Sequence, residues 1–314
     1  MSARCSLVVN GKSVRVSTGD TPLEAALADG MIAATPGSGG QGAGSAPRRT
    51  QSRAHRSEAL KLSLPRAAAI EPPSRLVLPS RPTAVQKRTG TVTEITVLGP
   101  HTFQVVVTIT RRLALEPGHG VDVTFENFAP VTLSPTLRVD GSAELNELVF
   151  HLRQDRDGFG LGHELMEALA CDQPVKVNGP AGRGFYRAGG GRLVLVASET
   201  GFAPIWSIAH AARYIEPARE IILVVGARNP LDLYMRPALD WLRATGVTRI
   251  VTVSDRSRQR PPEVRPGPLT AHLPSLRSTD VVHVAGDAST VGAVEVLAAT
   301  TGARCHPILI DAGI

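Results

Sequence analysis

The sequence predicts a chain of mixed class, an antiparallel β-barrel followed by a doubly wound parallel α/β sheet, with a distinct segment ahead of both. Between residues 90 and 177, short β-branched segments alternate polar and apolar positions and are separated by glycine or proline, as in a small barrel. From Arg192 onward, valine-rich apolar runs alternate with helical patterns, as in a parallel sheet covered on both faces. The first 88 residues match neither pattern. They hold one alternating hairpin pattern, then glycine-rich and basic sequence.

Taken in order, residues 6–16 alternate around Asn10-Gly11 and read as a β-hairpin. Residues 21–30 read as a short helix begun near Thr21 and ended by Gly30. The loop at 35–46 is rich in glycine and has no cysteine. Residues 47–88 carry ten Lys and Arg against Glu58 and Glu71, an excess of +8 in a chain of net +6, so the remainder is near −2. One reading of this stretch is a solvated linker. The other is an electrostatic arm for nucleic acid or an acidic partner. No aromatic residue is interleaved for base stacking, which argues against RNA or single strands.

Barrel strands are expected at 92–98, 103–109, 121–125, 145–152 and 175–177, with a helix at 163–170. That helix opens His163-Glu164-Leu165-Met166-Glu167, which begins like a zinc-protease helix but lacks the second histidine, so it reads as helix surface. Parallel strands are expected at 193–196, 221–225, 249–253, 281–284 and 307–310. Ligands on such a sheet bind beyond the carboxyl ends of its strands. Thr200-Gly201, Arg228, Ser254-Asp255 and Gly286-Asp287 all follow strands and so share one edge. In the first of these turns, Pro204 stands where a helix begins without needing an amide donor, and Ile205, Ile208, Ala209 and Ala212 continue at helical spacing. Strand, tight turn and helix aim backbone amides and the positive helix end at a phosphate.

Bulk composition limits the alternatives. With 314 residues, 42% hydrophobic and 20% charged, the chain is of ordinary globular make-up and long enough for two or three domains. No apolar run of about 18 residues suggests a membrane span, and no signal-peptide pattern is evident, so a cytoplasmic protein is expected. Cys5, Cys171 and Cys305 are too few and too scattered for a disulfide framework or a zinc or redox motif.

Several of these stretches carry a resemblance. Ser198-Glu199-Thr200-Gly201-Phe202-Ala203-Pro204 resembles the G-G-T-G-x-A-P nucleotide loop of the ferredoxin-NADP reductase family. Gly226-Ala227-Arg228-Asn229-Pro230-Leu231-Asp232-Leu233-Tyr234 is similar to its G-x-R-x-x-x-D-L-Y. Asn178-Gly179-Pro180-Ala181-Gly182 resembles its G-P-x-G turn, and Val284-Ala285-Gly286-Asp287 falls where the family has Cys-Gly-Pro. The order of the matches is similar to the reductase component of bacterial aromatic-ring dioxygenases, built as ferredoxin, flavin barrel and nicotinamide domain.

The resemblance implies a degenerate ferredoxin-like (β-grasp) remnant and basic linker at 1–88, an FAD-type barrel at 89–187 and an NAD(P)-binding domain at 188–314. It implies that Thr200 and Gly201 meet a pyrophosphate, with Gly179, Pro180, Arg228, Ser254, Asp255, Gly286 and Asp287 as further cofactor contacts. Asp255, as a ribose acceptor, favours NADH slightly over NADPH. The ferredoxin cluster loop needs three cysteines in C-x₄-C-x₂-C spacing and a fourth near residue 78. No cysteine lies between residues 6 and 170, so no iron–sulfur cluster is expected.

The family's flavin motif is R-x-Y-S, and the matching stretch is Val131-Thr132-Leu133-Ser134. Here Ser134 is the implied catalytic residue beside the flavin's reactive nitrogen, and Leu133 would pack on its ring. Val131 removes the guanidinium fork that grips phosphate best; Arg138 or Arg153 would have to replace it. Glu199 puts a carboxylate where the family has glycine against the pyrophosphate. Asp311-Ala312-Gly313 ends without the family's aromatic residue.

Two functions follow. One is a ferredoxin-reductase-like oxidoreductase with impaired cofactor sites, passing electrons from NAD(P)H through a flavin to an external ferredoxin or oxygenase. The alternative is a non-redox accessory or regulatory protein built on a degenerate reductase scaffold.

Overall fold

The computed structural model describes residues 5–9, 12–16, 84–154, 160–247, 249–254 and 260–311. The expected helix at 21–30, the glycine loop at 35–46, position 78, the basic stretch up to residue 83, Asp255 and Gly313 lie outside them. The chain divides into two compact units, Met1–Arg75 and Leu76–Ile314. In the first, β1 (Cys5–Val9) and β2 (Lys12–Val16) form an antiparallel pair in which Val9 faces Lys12. This is the hairpin expected from the alternation around Asn10-Gly11.

The second unit begins with a six-stranded antiparallel sheet. Its strands are β3 (Gln86–Gly99), β4 (Thr102–Ile109), β5 (Gly120–Phe125), β6 (Val131–Leu133), β7 (Glu147–Arg153) and β8 (Pro174–Ala181). They lie in the order β6-β5-β8-β3-β4-β7. The two edges meet through an antiparallel bridge between Thr136 and Val149, where the Thr136 amide donates to the Val149 carbonyl at 2.9 Å, and the sheet curls shut. β3 begins at Gln86 and has register shifts at Val92/Glu94 and Val97/Gly99, bulges that strengthen the curl. Phe103, Val105, Val107, Val121, Val123, Phe125 and Phe150 fill the interior. α1 (Leu161–Ala168) covers this core through Leu165.

The chain then forms a parallel sheet of β9 (Leu193–Ser198), β10 (Ile221–Ala227), β11 (Arg249–Ser254), β12 (Val264–Pro266), β13 (Val281–Gly286) and β14 (Arg304–Leu309). The order is β12-β11-β10-β9-β13-β14. From β9 the chain winds outward to β12, then returns to β13 on the other side of β9. The switch point therefore lies between β9 and β13, where open α/β sheets bind ligands. α2 (Phe202–Ile215) and α3 (Arg236–Ala244) cover one face, against Leu195, Leu223 and Val225. α4 (Ala288–Thr301) covers the other, against Val194, Val196, Val282 and Val284. The central strands β9, β10 and β13 are buried on both faces, which is why they read as continuous apolar runs rather than alternating ones.

Two details differ from the sequence expectation. β12 is three residues long, ends on Pro266 and is flanked by Pro261, Pro262 and Pro268, too short to show periodicity. The last strand begins at Arg304, because the polar residues Arg304 and His306 occupy an edge strand with one solvated side.

Candidate functional site

The carboxyl ends of the parallel strands open on a cleft of about 480 Å³, within the usual range of small-molecule sites. Thr200, Arg228 and Asp287 line it, joined by Glu199, Arg153 from the end of β7, and the segment Gly267 to Thr270. Two glycines allow the strand ends to approach. A Cβ at Gly201 would stand 2.3 Å from the Ala285 carbonyl oxygen, and Gly286, with φ 154°, would bring one to 2.8 Å of Ser198 Cβ. These are the β9 and β13 loops that flank the switch point, held together by backbone contact.

Glu199 opens a short 3₁₀ turn, Glu199–Gly201, with φ 54°. This is the left-handed conformation that glycine adopts freely and that costs another residue of order 1–3 kcal/mol. Its carboxylate is not solvated: the side chain is 16% exposed, Oε1 accepts the Arg228 amide at 2.7 Å, and Arg153 Nη1 lies 3.8 Å away. Burial raises its pKa above the ordinary value, against the opposing pull of the Arg228 amide and Arg153.

Asp287 caps α4. Its carboxylate accepts the amides of Ser289 and Thr290, each at 2.9 Å, and the Thr290 hydroxyl at 2.8 Å. Burial acts to raise its pKa, but the bonds from Ser289 and Thr290 win and hold it at about 2. The amino end of α4 is thus already met by a side-chain anion, whereas α2, the helix the sequence offered to a phosphate, has no side-chain cap. Ser254 is buried, and its hydroxyl donates to the Arg228 carbonyl at 3.4 Å. Gly179 and Pro180 line neither this cleft nor its neighbour. Gly179 sits inside β8, where a Cβ would meet Val121 Cγ1 at 2.5 Å, so it serves strand packing in the barrel.

The expected flavin position is a crevice beside the cleft, lined by Leu133, Ser134, His151 and Pro204, and joined to it at Thr200, Ile310 and Asp311. It measures about 20 Å³, room for roughly one water. Val131 and Leu133 are both buried in the barrel core. Arg138 does not replace the missing guanidinium, since it pairs with Glu147 at 2.7 Å and Glu94 at 3.2 Å. Arg153 does reach the cleft. The residues present therefore fit a dinucleotide at the strand ends but not a tightly held FAD at the crevice.

Asp232 and Tyr234 of the Gly226–Tyr234 stretch do not line the cleft. Asp232 Oδ1 lies 2.8 Å from His101 Nδ1 of the barrel, and the buried Tyr234 hydroxyl is 3.2 Å from His151 Nδ1. Together with the Thr136 hydroxyl donating to the Ala203 carbonyl at 2.6 Å and Trp206 Nε1 donating to the Arg138 carbonyl at 3.0 Å, they join barrel and sheet. No sequence signal marked His101 or His151 for this task, because their partners are far along the chain.

Residues 195–286 match the oxidoreductase NAD-binding domain family. Over 154 residues the chain is 30% identical to the reductase subunit of an aromatic O-demethylase from Amycolatopsis sp., covering 46% of this chain and 44% of that protein. Over 115 residues it is 33% identical to reductase component 1 of terephthalate 1,2-dioxygenase from Comamonas sp., covering 35% and 34%. The chain thus spans less than half the length of these curated relatives. Among solved structures, an Amycolatopsis cytochrome P450 reductase superposes with TM-score 0.63 at 24% identity, over 73% of this chain and 72% of that one. The ferredoxin reductase of a carbazole 1,9a-dioxygenase gives 0.61 at 18% identity, over 73% and 70%. The curled antiparallel barrel followed by a parallel sheet with helices on both faces is thus a ferredoxin-NADP-reductase-like fold, within which residues 195–286 match the oxidoreductase NAD-binding domain.

Proposed function

We propose that this chain is an electron-transfer oxidoreductase, the NAD(P)H-dependent reductase of an oxygenase system, acting with an oxygenase or ferredoxin as partner. The observation that carries the reading is the cleft at the β9/β13 switch point, which is lined by Thr200 and Arg228 of the matched NAD-binding domain together with Arg153 from the barrel. The similarity to reductase components supports this over the accessory-protein reading.

In this reading the dinucleotide lies across the strand ends as the hydride donor. Thr200 and the amides of its turn receive the pyrophosphate, and the Arg228 and Arg153 side chains supply positive charge. Pro204 and Ile310 wall the inner end against water. Flavin, whose chemistry is to convert a hydride into single electrons, has no cation at Val131 and no ring at Leu133, so it is held weakly and exchanges with solvent. The lack of thiolates between residues 6 and 170 leaves the onward electron path to the partner's own centre.

The test is the visible absorbance of purified protein with and without added FAD, followed by NADH- and NADPH-dependent reduction of a dye. NAD(P)H oxidation that depends on added FAD is the expected result. No oxidation at saturating FAD, together with no nucleotide binding, would return the scaffold to a non-redox role.

A further inference from the structure

Glu199 brings its own anion into the cleft. Its loop conformation is the one the family's glycine would take, yet the side chain is fixed on donors from two other elements, the Arg228 amide beyond β10 and the Arg153 guanidinium at the end of β7. Both Arg228 and Arg153 line the cleft and so are donors open to an incoming pyrophosphate. We infer that Glu199 is an internal latch on the nucleotide cleft, a specificity-determining carboxylate that a pyrophosphate must displace from Arg228 and Arg153 in order to bind. This rests on the nucleotide reading of the cleft and adds a regulation to it.

The latch has a direction. A bound pyrophosphate placed beside Glu199 favours its neutral form, so binding takes up a proton and tightens as pH falls. The burial that already lifts this group above the ordinary carboxylate range brings that response closer to neutrality. The groups facing Glu199 are Arg153 from β7, Arg228 and Asp232 from the loop after β10, and Tyr234; Asp287 and Asp311 line the same cleft. Asp287 is held at about 2 and so does not titrate in the same range. A ligand that carries no phosphate, such as adenosine, escapes the competition.

Calorimetric titration of the full chain with ADP-ribose and with adenosine, from about pH 8 to about pH 5, separates the outcomes. ADP-ribose should bind the parent protein more tightly toward low pH. Glu199→Gln, nearly isosteric and still an acceptor for the Arg228 amide, should bind it at least about tenfold tighter near pH 8, with a flattened pH profile. Adenosine should bind both forms alike. Equal affinity and equal pH slope for ADP-ribose in the two forms would overturn the latch and leave the nucleotide site standing. A flat profile in the parent protein alone does the same, without requiring the variant to fold. If ADP-ribose and NADH bind neither form, the nucleotide reading falls and the latch with it.

Discussion

At the scale of single residues, the two departures from the flavin motif that the resemblance singles out are Val131 and Leu133. Val131 and Leu133 sit in the barrel core, where they stabilise packing but offer neither charge nor ring. Val131→Arg with Leu133→Tyr is expected to raise the FAD bound per chain, read as flavin absorbance after gel filtration. Unchanged flavin content in a folded double variant would show that the crevice, rather than its chemistry, excludes the ring. Asp287 is the cap of α4, and Asp287→Ala should cost about 1 kcal/mol in a denaturant titration. Because its folded pKa is depressed from 3.8 to about 2, that contribution is complete above 3.8 and is lost as pH falls toward 2. A parent and variant that differ as much at pH 2 as at pH 7 would contradict the capping account.

At the scale of elements, the amino ends of the parallel strands are tied by a buried ion pair, at the edge opposite the cleft. Arg192 places Nη2 2.6 Å and Nε 3.3 Å from Asp280, whose side chain is fully buried and also accepts the Arg277 amide at 2.8 Å. Arg192 Nη2 also donates to the Ser275 carbonyl at 2.9 Å. Removing one partner strands the other charge, so Asp280→Ala should destabilise the fold by roughly 3–5 kcal/mol. Replacing both, as Arg192→Met with Asp280→Leu, should cost clearly less than the single change. Chemical denaturation of the three proteins checks the ranking; a double variant as unstable as the single one would show that geometry, not stranded charge, dominates.

At the scale of the whole molecule, barrel and sheet share buried histidines. His151 meets Tyr234 across the junction, and His283, in the middle of β13, donates Nδ1–H to the Gly184 carbonyl at 2.9 Å. Burial lowers both from the ordinary 6.5 to about 3. Between those values the unfolded chain binds protons that the folded one refuses, so stability rises with pH across that window and falls as pH drops from 6.5 toward 3. Thermal midpoints across the window should show this loss, with a shallower slope for His283→Gln. An identical slope in parent and variant would assign the acid sensitivity to other groups. Because both histidines lie where barrel-side segments touch the sheet, acid should loosen that junction as well as lower the melting temperature.

The order of barrel and parallel sheet, the strand–turn–helix at Ser198 to Pro204 and the absence of thiolates from residues 6 to 170 were all legible in the sequence. Each is local: alternation in 103–109, continuous valine and leucine in 193–196, and punctuation by glycine and proline are read within a few residues. Ser198 through Pro204 was legible as strand, turn and helix for the same reason. Only the tertiary structure decided that Asp232 and Tyr234 bind the barrel, that Arg138 is spent on Glu94 and Glu147, and that Thr136 and Val149 close the barrel. It also decided that the Glu199 carboxylate is held inside the fold, since its partners stand 46 residues back, at Arg153, and 29 ahead, at Arg228. Those outcomes depend on which groups folding brings within hydrogen-bond reach across long loops, and no local pattern encodes that distance.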